Sequence, residues 1–372
     1  MLDTILPKPW QGSGDALTDA LARASASIAR LDQALGLHPL QTAFLYRTRL
    51  EAARRQAAVD GLAIDPWHLA AVREGFRLRM DHALRIIDRG AIFEAARQAL
   101  ALHQWMVEPD FDQEGEVQRA EGVILDQGEA TPLLAAAFGM WAWLDKGEDR
   151  VPIRAAVIRH WKRQRLLRSP VPLTGAASLR PDVPWDEATW VPAFLSALAG
   201  EADDGLHLLF DMERSWFAAR RAVAGKRSNS RATAAVDILA AAPLVSGTSL
   251  AAALGMAPNN ATALLDQFCA AGIAVEVTHR SKRRLFGLSA LAPLRDEVAP
   301  PRRPEPGRGR GRPPIVRIEN EVVEPLPMPL MTPLQRREFD TGDLDQWMTQ
   351  LEQQTQQTRR VLASTTRPKP EY

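Results

Sequence analysis

The stretch from Ser246 to Gly272 constrains the fold of this chain more than any other. Its sequence, SGTSLAAALGMAPNNATALLDQFCAAG, predicts a short helix over Leu250–Leu254 and a longer helix over Asn259–Ala271. Gly255 lies between them, where glycine readily adopts the positive φ that a tight turn requires. A further helix is predicted just upstream, over Ala232–Ala242. A short helix, a glycine turn and a longer helix are typical of a helix-turn-helix.

The side chains of the longer helix fall into two groups. The residues predicted to pack inward are Ala263, Leu264, Phe268 and Ala271. The residues left for solvent or for DNA are Asn259, Asn260, Thr262 and Gln267. Asn and Gln pair with adenine and Thr contacts the thymine methyl group, so these four are candidate DNA contacts. The alternative that Asn259 and Asn260 only cap the helix stays open.

A basic loop follows this helix pair. The alternation of apolar residues over Ile273–Val277 and Leu285–Gly287 predicts two strands of a hairpin, or wing. The sequence between the strands, THRSKRR, contains four cations: Arg280, Lys282, Arg283 and Arg284. At a hairpin tip beside a helix-turn-helix, such cations would contact phosphates. The alternative interpretation is a solvated charged loop.

A second basic segment, GRGRGRPP, spans residues 307–314. Arg310-Gly311-Arg312-Pro313 resembles the core of an AT-hook, and Arg308 extends it. The resemblance implies that Arg308, Arg310 and Arg312 enter the minor groove of A/T-rich DNA, where arginine is favoured by a strongly negative potential. The alternatives that this Arg-Gly segment binds RNA, or binds no particular partner, stay open.

The charge distribution supports a polyanionic partner. Residues 278–317 contain eleven Lys and Arg against three Asp and Glu, whereas the whole chain has a net charge of only +1. The rest of the chain is therefore slightly acidic. A basic block beside an acidic body is typical of proteins that bind nucleic acid.

Apolar periodicity elsewhere predicts a mainly α fold. Two helices are expected over Glu187–Leu198 and His207–Val223, and a long loop over Glu108–Gly128. The predicted domains are a flexible arm at 1–14, an N-terminal multi-helix domain at 15–224, a C-terminal winged helix-turn-helix at 225–290, a Pro/Arg-rich linker containing RGRP at 291–340, and a terminal helix and tail at 341–372.

Composition and motifs exclude several classes of protein. Cys269 is the one cysteine, so neither an intrachain disulfide nor a cysteine-rich zinc site can form. The N-terminus lacks the pattern of a secretory signal, and the run Pro132–Leu144 is too short to span a bilayer. The seven histidines form no metal-binding motif. We therefore expect no cofactor, no membrane association, and a cytoplasmic, nucleoid-associated protein.

The whole chain resembles a family of rhizobia and other plant-associated alphaproteobacteria. In that family a helical domain of unknown function precedes a helix-turn-helix DNA-binding domain. The resemblance covers most of residues 15–317. Its most specific pieces are LDQALGLHPLQTAFLYRTRLEAARRQAAVDG and SGTSLAAALGMAPNNATALLDQFCAAGI. It implies a bacterial transcriptional regulator.

The layout also resembles, more distantly, Fic-type nucleotidyl transferases. The segment Ala142–Arg150, AWLDKGEDR, lies where that family has His-Pro-Phe-x-x-Gly-Asn-Gly-Arg. Gly147 and Arg150 match. Ala142 replaces the histidine base, and Asp149 replaces a glycine whose loop binds phosphate. If the folds are related, the resemblance implies a catalytically silent relative.

The sequence therefore predicts a DNA-binding regulator that is not an enzyme and whose partner is double-stranded DNA, A/T-rich at the arm. Two alternatives stay open. One is a diverged Fic-type nucleotidyl transferase with a DNA-binding tail. The other is an interaction protein whose C-terminal helix, Leu344–Leu362, docks a protein partner. Homo-oligomerisation also stays open.

Overall fold

The computed structural model describes two parts of the chain. The first is residues 14–298, apart from 63, 77, 79–88, 108–110, 129 and 225–230, and the second is residues 350–358, apart from 352. The two parts belong to separate compact units. The described residues are mainly helical, as predicted, and they include no helix of the length and apolarity needed to cross a membrane.

The N-terminal part of the first unit is built from long helices. α1 buries Ile28, Leu31 and Leu35, which recur at three- and four-residue spacing, along the last helix of this part. In chain order the helices are α1 Gly14–Leu35, α2 Gln41–Val59, α3 Pro66–Arg73, α4 Arg89–Val107, α5 Phe111–Leu125, α6 Pro132–Asp145, α7 Arg150–Arg163 and α8 Glu187–Val223. A short 3₁₀ turn, Ala176–Leu179, lies in the connection before α8.

The prediction of two helices over residues 187–223 is wrong, because α8 is continuous. Asp186 caps its start and accepts a hydrogen bond of 3.0 Å from the backbone N–H of Thr189. Gly205 lies in the stretch that the sequence suggested as a break. A Cβ built there would already contact Leu31 and Phe44 at 3.4 Å. Close packing against α1 and α2 therefore outweighs the low helix propensity of glycine.

The prediction of a loop over Glu108–Gly128 is also wrong, because α5 occupies most of it. The acidic and glycine residues of this segment are typical of a loop, but Val117, Ala120 and Ile124 form a buried stripe along the helix. α6 packs closely on this stripe at Gly139, where a Cβ would lie 2.7 Å from the Cα of Ile124. Tertiary packing again decides the local structure.

The C-terminal part of the first unit combines short helices with a small sheet. The sheet is antiparallel with strand order β1-β3-β2, and Phe286 of β3 lies between Val245 and Glu276 of its two neighbours. The elements in chain order are α9 Ala232–Ala241, β1 Val245–Ser246, α10 Gly247–Leu254, α11 Pro258–Ala270, β2 Ala274–Glu276, β3 Leu285–Leu288 and α12 Ala292–Glu297.

The buried face of α11 differs from the predicted one. Ala261, Leu265 and Phe268 are buried, whereas Ala263 and Ala271 are exposed. The predicted inward positions are confirmed for Phe268, which is buried, and for Leu264, which is partly buried against the core. They are wrong for Ala263 and Ala271, because alanines occur on every side of this helix. The face of α11 that is available to a partner is rotated accordingly.

The hydrophobic core is continuous through the first unit and includes residues from Ala20 to Leu288. A smaller cluster joins α3 to the C-terminal part through Ala70, Ala71, Leu244, Val277 and Leu285, with Phe76 beside them. Leu294 and Val298 are also buried in this cluster. Residues 291–298 are therefore folded, which corrects the prediction that the linker begins at residue 291.

The second unit contributes a short helical segment within residues 350–358, where Leu351 is exposed. This segment agrees with the middle of the predicted C-terminal helix. Residues 1–13 of the predicted arm, the rest of the C-terminal helix, and Arg308, Arg310 and Arg312 lie outside the described residues, whereas Gly14 begins α1. The proposed boundaries at 224 and 340 stay predictions.

The packing of α5 on α6 predicts that replacing glycine by alanine has opposite effects on stability at two positions. Gly139→Ala should lower the free energy of unfolding by about 1–3 kcal/mol, because the methyl group overlaps the backbone of Ile124. Gly122 of α5 has open space where a Cβ would lie, so Gly122→Ala should raise the free energy of unfolding by about 0.5–1 kcal/mol. Urea denaturation followed by circular dichroism measures both. Equal effects would contradict the α5–α6 packing.

Candidate nucleic-acid interface

α10 and α11 are joined by a tight and well-defined turn. The Ser246 side chain caps α10 by accepting a hydrogen bond of 3.1 Å from the Ser249 N–H. α10 ends at Gly255, which adopts a left-handed conformation with φ of +60°. The two helices approach closely at Gly247, where a Cβ would lie 2.5 Å from Oγ1 of Thr262. Thr262 therefore lies in the contact between α10 and α11.

The remaining candidate residues of α11 are exposed. Asn259 and Asn260 lie in the first turn, and Gln267 lies two turns further on. The N-cap of α11 is Ala257, followed by Pro258 at the first helical position, so neither asparagine is the cap. The capping alternative is therefore wrong, and the three amide side chains are available to a partner.

The basic loop between β2 and β3 is organised by one acidic side chain, Glu276. Its carboxylate accepts hydrogen bonds from the backbone N–H groups of Thr278 and His279, at 2.8 and 3.1 Å, and from the Thr278 hydroxyl. Arg295 of α12 donates to the same carboxylate at 3.0 Å. Glu276 could not be identified from the sequence, because one of its partners, Arg295, lies in α12, 19 residues further along the chain.

The four cations of this loop have different surroundings. Arg280 and Lys282 are exposed. Arg283 lies over the Phe76 ring, with 5.3 Å between its guanidinium carbon and the ring centroid, and its backbone has a positive φ of 52°. Arg284 forms two hydrogen bonds of 2.7 and 2.9 Å with Asp266 of α11.

The ion pair of Arg284 and Asp266 sets the charge of the exposed face of α11. The hydrogen bonds with Asp266 raise the pKa of Arg284. Asp266 is about half exposed, and an unpaired carboxylate there would repel phosphate. Because Arg284 neutralises it, the amides of α11 lie beside a loop with a positive balance. Whether Arg284 also contacts phosphate stays a prediction.

A buried carboxylate from α3 holds the start of α10. Glu74, directly after α3, accepts hydrogen bonds from the Ser246 N–H at 3.0 Å and from the Ser249 hydroxyl at 2.6 Å. It is buried and satisfies donors at a helix N-terminus, where an anion is favoured. Glu74 and Ser246 are too far apart in the chain for sequence reasoning to pair them.

A second buried carboxylate, Asp237 of α9, joins α8 to α9. It accepts a hydrogen bond of 2.7 Å from the Trp216 indole and two bonds, of 2.9 and 2.6 Å, from the Arg220 guanidinium. Its side chain is 5% exposed. These three bonds fix the position of α9, and hence of the small sheet, against the helices that precede it.

In the segment that aligns with the Fic motif, Asp149 and Arg150 have structural roles. Asp149 caps α7 and accepts a hydrogen bond of 3.0 Å from the Val151 N–H, so a carboxylate occupies the helix start where a phosphate would otherwise bind. Arg150 pairs with Asp60 at 2.9 Å. In the described part of the chain no three His, Cys, Asp or Glu side chains are grouped as a metal site.

Comparison of the chain with protein-family models and with curated proteins finds no match.

Removing the carboxylate of Asp237 should strongly destabilise the protein. Asp237→Ala leaves Trp216 and Arg220 without their acceptor, and we expect a loss of about 3–5 kcal/mol in the free energy of unfolding. The control is Asp182→Ala, which removes an exposed ion pair with Arg180 and should leave the free energy of unfolding almost unchanged. Urea denaturation measures both variants. A similar, small loss in both would contradict the role given to Asp237.

Proposed function

We propose that this protein is a bacterial DNA-binding transcriptional regulator. In this proposal α10 and α11 form a helix-turn-helix, α11 enters the major groove, and the β2–β3 hairpin is a wing that contacts the phosphate backbone. The order of helix, strand, two helices and a two-stranded hairpin supports this proposal. So does the resemblance to the rhizobial family.

The observation that carries the proposal is the exposed face of α11. A helix is about 10–12 Å across and the major groove about 12 Å wide, so one helix fills the groove. Asn259, Asn260 and Gln267 are exposed amides on such a helix, and amides read adenine by paired hydrogen bonds. N-terminal residues of a recognition helix commonly contact the bases.

The surroundings of α11 suit a polyanion. Arg280 and Lys282 extend from a loop that is held in shape by Glu276, and Arg284 removes the charge of Asp266. A pre-shaped loop loses little conformational freedom on binding. Arg308, Arg310 and Arg312 would add contacts in the minor groove of A/T-rich DNA.

The other expectations from the sequence remain proposals. These are the location on the nucleoid in the cytoplasm, homo-oligomerisation and a protein partner for the C-terminal helix. The nucleotidyl-transfer alternative has no observation in its favour among the described residues, since Asp149 and Arg150 are both engaged within the fold.

The cations of the loop should determine how binding depends on salt. Duplexes selected from genomic DNA are titrated by fluorescence anisotropy at several salt concentrations. Replacing both Arg280 and Lys282 with Ala should weaken binding to all sequences alike. It should also reduce the magnitude of the slope of log binding constant against log salt concentration by about 2.

The control for this measurement is the pair Lys162→Ala and Arg165→Ala, which removes the same charge from exposed residues around the end of α7. It should leave the slope unchanged. Equal slopes in the wild type and in the loop variant, or no binding of the wild type to any duplex, would contradict the proposal.

The amides of α11 should determine sequence preference rather than salt dependence. Asn259→Ala and Asn260→Ala should each reduce discrimination between the selected site and its point variants by about 1–3 kcal/mol at the contacted base pair, with the salt slope unchanged. Gln118→Ala, an exposed amide of α5, is the control. Full discrimination by the double variant Asn259→Ala/Asn260→Ala would exclude this orientation of α11.

A further inference from the structure

A cavity of about 310 Å³ lies in the N-terminal helices, between α2, α3, α8 and the segment that contains Val171 and Leu173. Its walls are mainly apolar, with Leu50, Leu69 and Leu208 contributed by three different helices. Its volume is at the lower end of the range for small-molecule sites. Such a volume suits a ligand smaller than a typical drug molecule.

Most of the charged groups in the cavity wall are already paired with one another. Glu51 accepts hydrogen bonds from Arg54 and Arg55, and Arg55 also pairs with Asp204 at 2.9 Å. Glu201 accepts three backbone N–H bonds of 2.7–3.1 Å from residues 174–176. Burial raises the pKa of Glu201, against the opposing effect of Arg55. Counted together with Arg54, which lies outside the lining, these groups comprise two arginines and three acidic residues, and each of them is already engaged within the fold.

Arg47 is different. Its half-buried side chain lines the cavity, and among the described residues its guanidinium has no hydrogen-bond acceptor. Burial lowers the pKa of Arg47 to about 10, only partly offset by the charge of Asp211, which itself accepts a hydrogen bond from Arg214. Arg47 is therefore charged at neutral pH in an apolar cavity. Such a cation favours a carboxylate, which it can bind through two parallel hydrogen bonds.

The cavity and the candidate DNA interface share α3 as a common wall. Trp67 and Leu69 of α3 line the cavity, whereas the neighbouring residues Ala70 and Ala71 pack with Leu244, Val277 and Leu285 in the smaller cluster. Directly after α3, Glu74 holds the start of α10. A ligand that shifts α3 would therefore shift both α10 and the base of the basic loop.

Pro243 gives a second connection. It lines the cavity, and its carbonyl oxygen lies 2.9 Å from the position of a Cβ on Gly287 in β3. The wall of the cavity is thus in direct contact with the small sheet.

We propose that this cavity binds a small amphipathic monocarboxylic acid, with its carboxylate on Arg47 and its aliphatic or aryl-alkyl body against the leucines, and that the bound acid changes DNA affinity through α3. The ligand site stands independently of the proposed function. The change in DNA affinity rests on that function.

The ligand site is tested by calorimetric titration of the full chain with two matched pairs of probes: 3-phenylpropionate with 3-phenylpropionamide, and octanoate with octanamide. Each pair differs mainly in charge. We expect at least one acid to bind about ten-fold more tightly than its amide, or better. Equal affinities within both pairs, or no acid with a Kd below about 5 mM, would overturn the site.

Variants locate the binding. Arg47→Met should weaken binding of the acid about ten-fold and leave binding of the amide unchanged. The control is Arg97→Met, which changes an exposed arginine outside the cavity lining and should alter neither affinity. Leu208→Trp, which narrows the cavity from α8, should weaken the binding of both the acid and the amide. Wild-type acid affinity in both Arg47→Met and Leu208→Trp would place the binding elsewhere and overturn the proposal.

The coupling is tested by measuring duplex affinity with and without a saturating concentration of the bound acid. We expect a change of about three-fold or more that is absent in Arg47→Met. An unchanged duplex affinity overturns the coupling but does not affect the proposal of a ligand site. A protein that binds the acid but no duplex overturns both the coupling and the proposed function, whereas duplex binding without acid binding overturns the site alone.

Discussion

Two buried carboxylates at the junction of the helices and the small sheet determine how the first unit is assembled. Asp237 receives its donors from Trp216 and Arg220 of α8, and Glu74 receives its donors from the start of α10. A buried carboxylate without donors is strongly unfavourable, so a displaced arrangement of the two halves would carry a large penalty. The apolar core supplies most of the stabilisation, and these two side chains select one geometry for it.

The sequence predicted the fold class and most of the helices, and its errors have a common cause. α9 is a short apolar segment that ends just before Pro243, so its predicted limits, Ala232–Ala242, are close to the observed limits, Ala232–Ala241. α5 and α8 contain glycines and acidic residues that usually mark loops. In the fold these helices pack so closely on their neighbours, at Ile124 and Gly205, that local propensity is overruled. Contacts of that kind join residues far apart in sequence.

The same limit applies to the candidate site. Composition and order were enough to find Asn259, Asn260 and Gln267, because exposed amides on a short helix need no distant partner. The loop arginines are different, since Phe76 and Asp266 determine where Arg283 and Arg284 lie. Arg47 could not be distinguished in sequence from the other arginines of α2. Only the packing of three helices makes it the cation of an apolar cavity.

The position of α3 also bears on how such a protein can evolve. Recombination at a domain boundary can join a DNA-binding domain to a new sensor domain. The sequence predicts such a boundary after residue 224. Recombination there would leave behind Ala70 and Ala71, which cover Leu244, Val277 and Leu285, and the acid that satisfies Ser246. The elements from α9 to α12 therefore do not form a module that could be transferred alone. A new sensor could acquire them only together with the eight residues of α3 and the glutamate that follows.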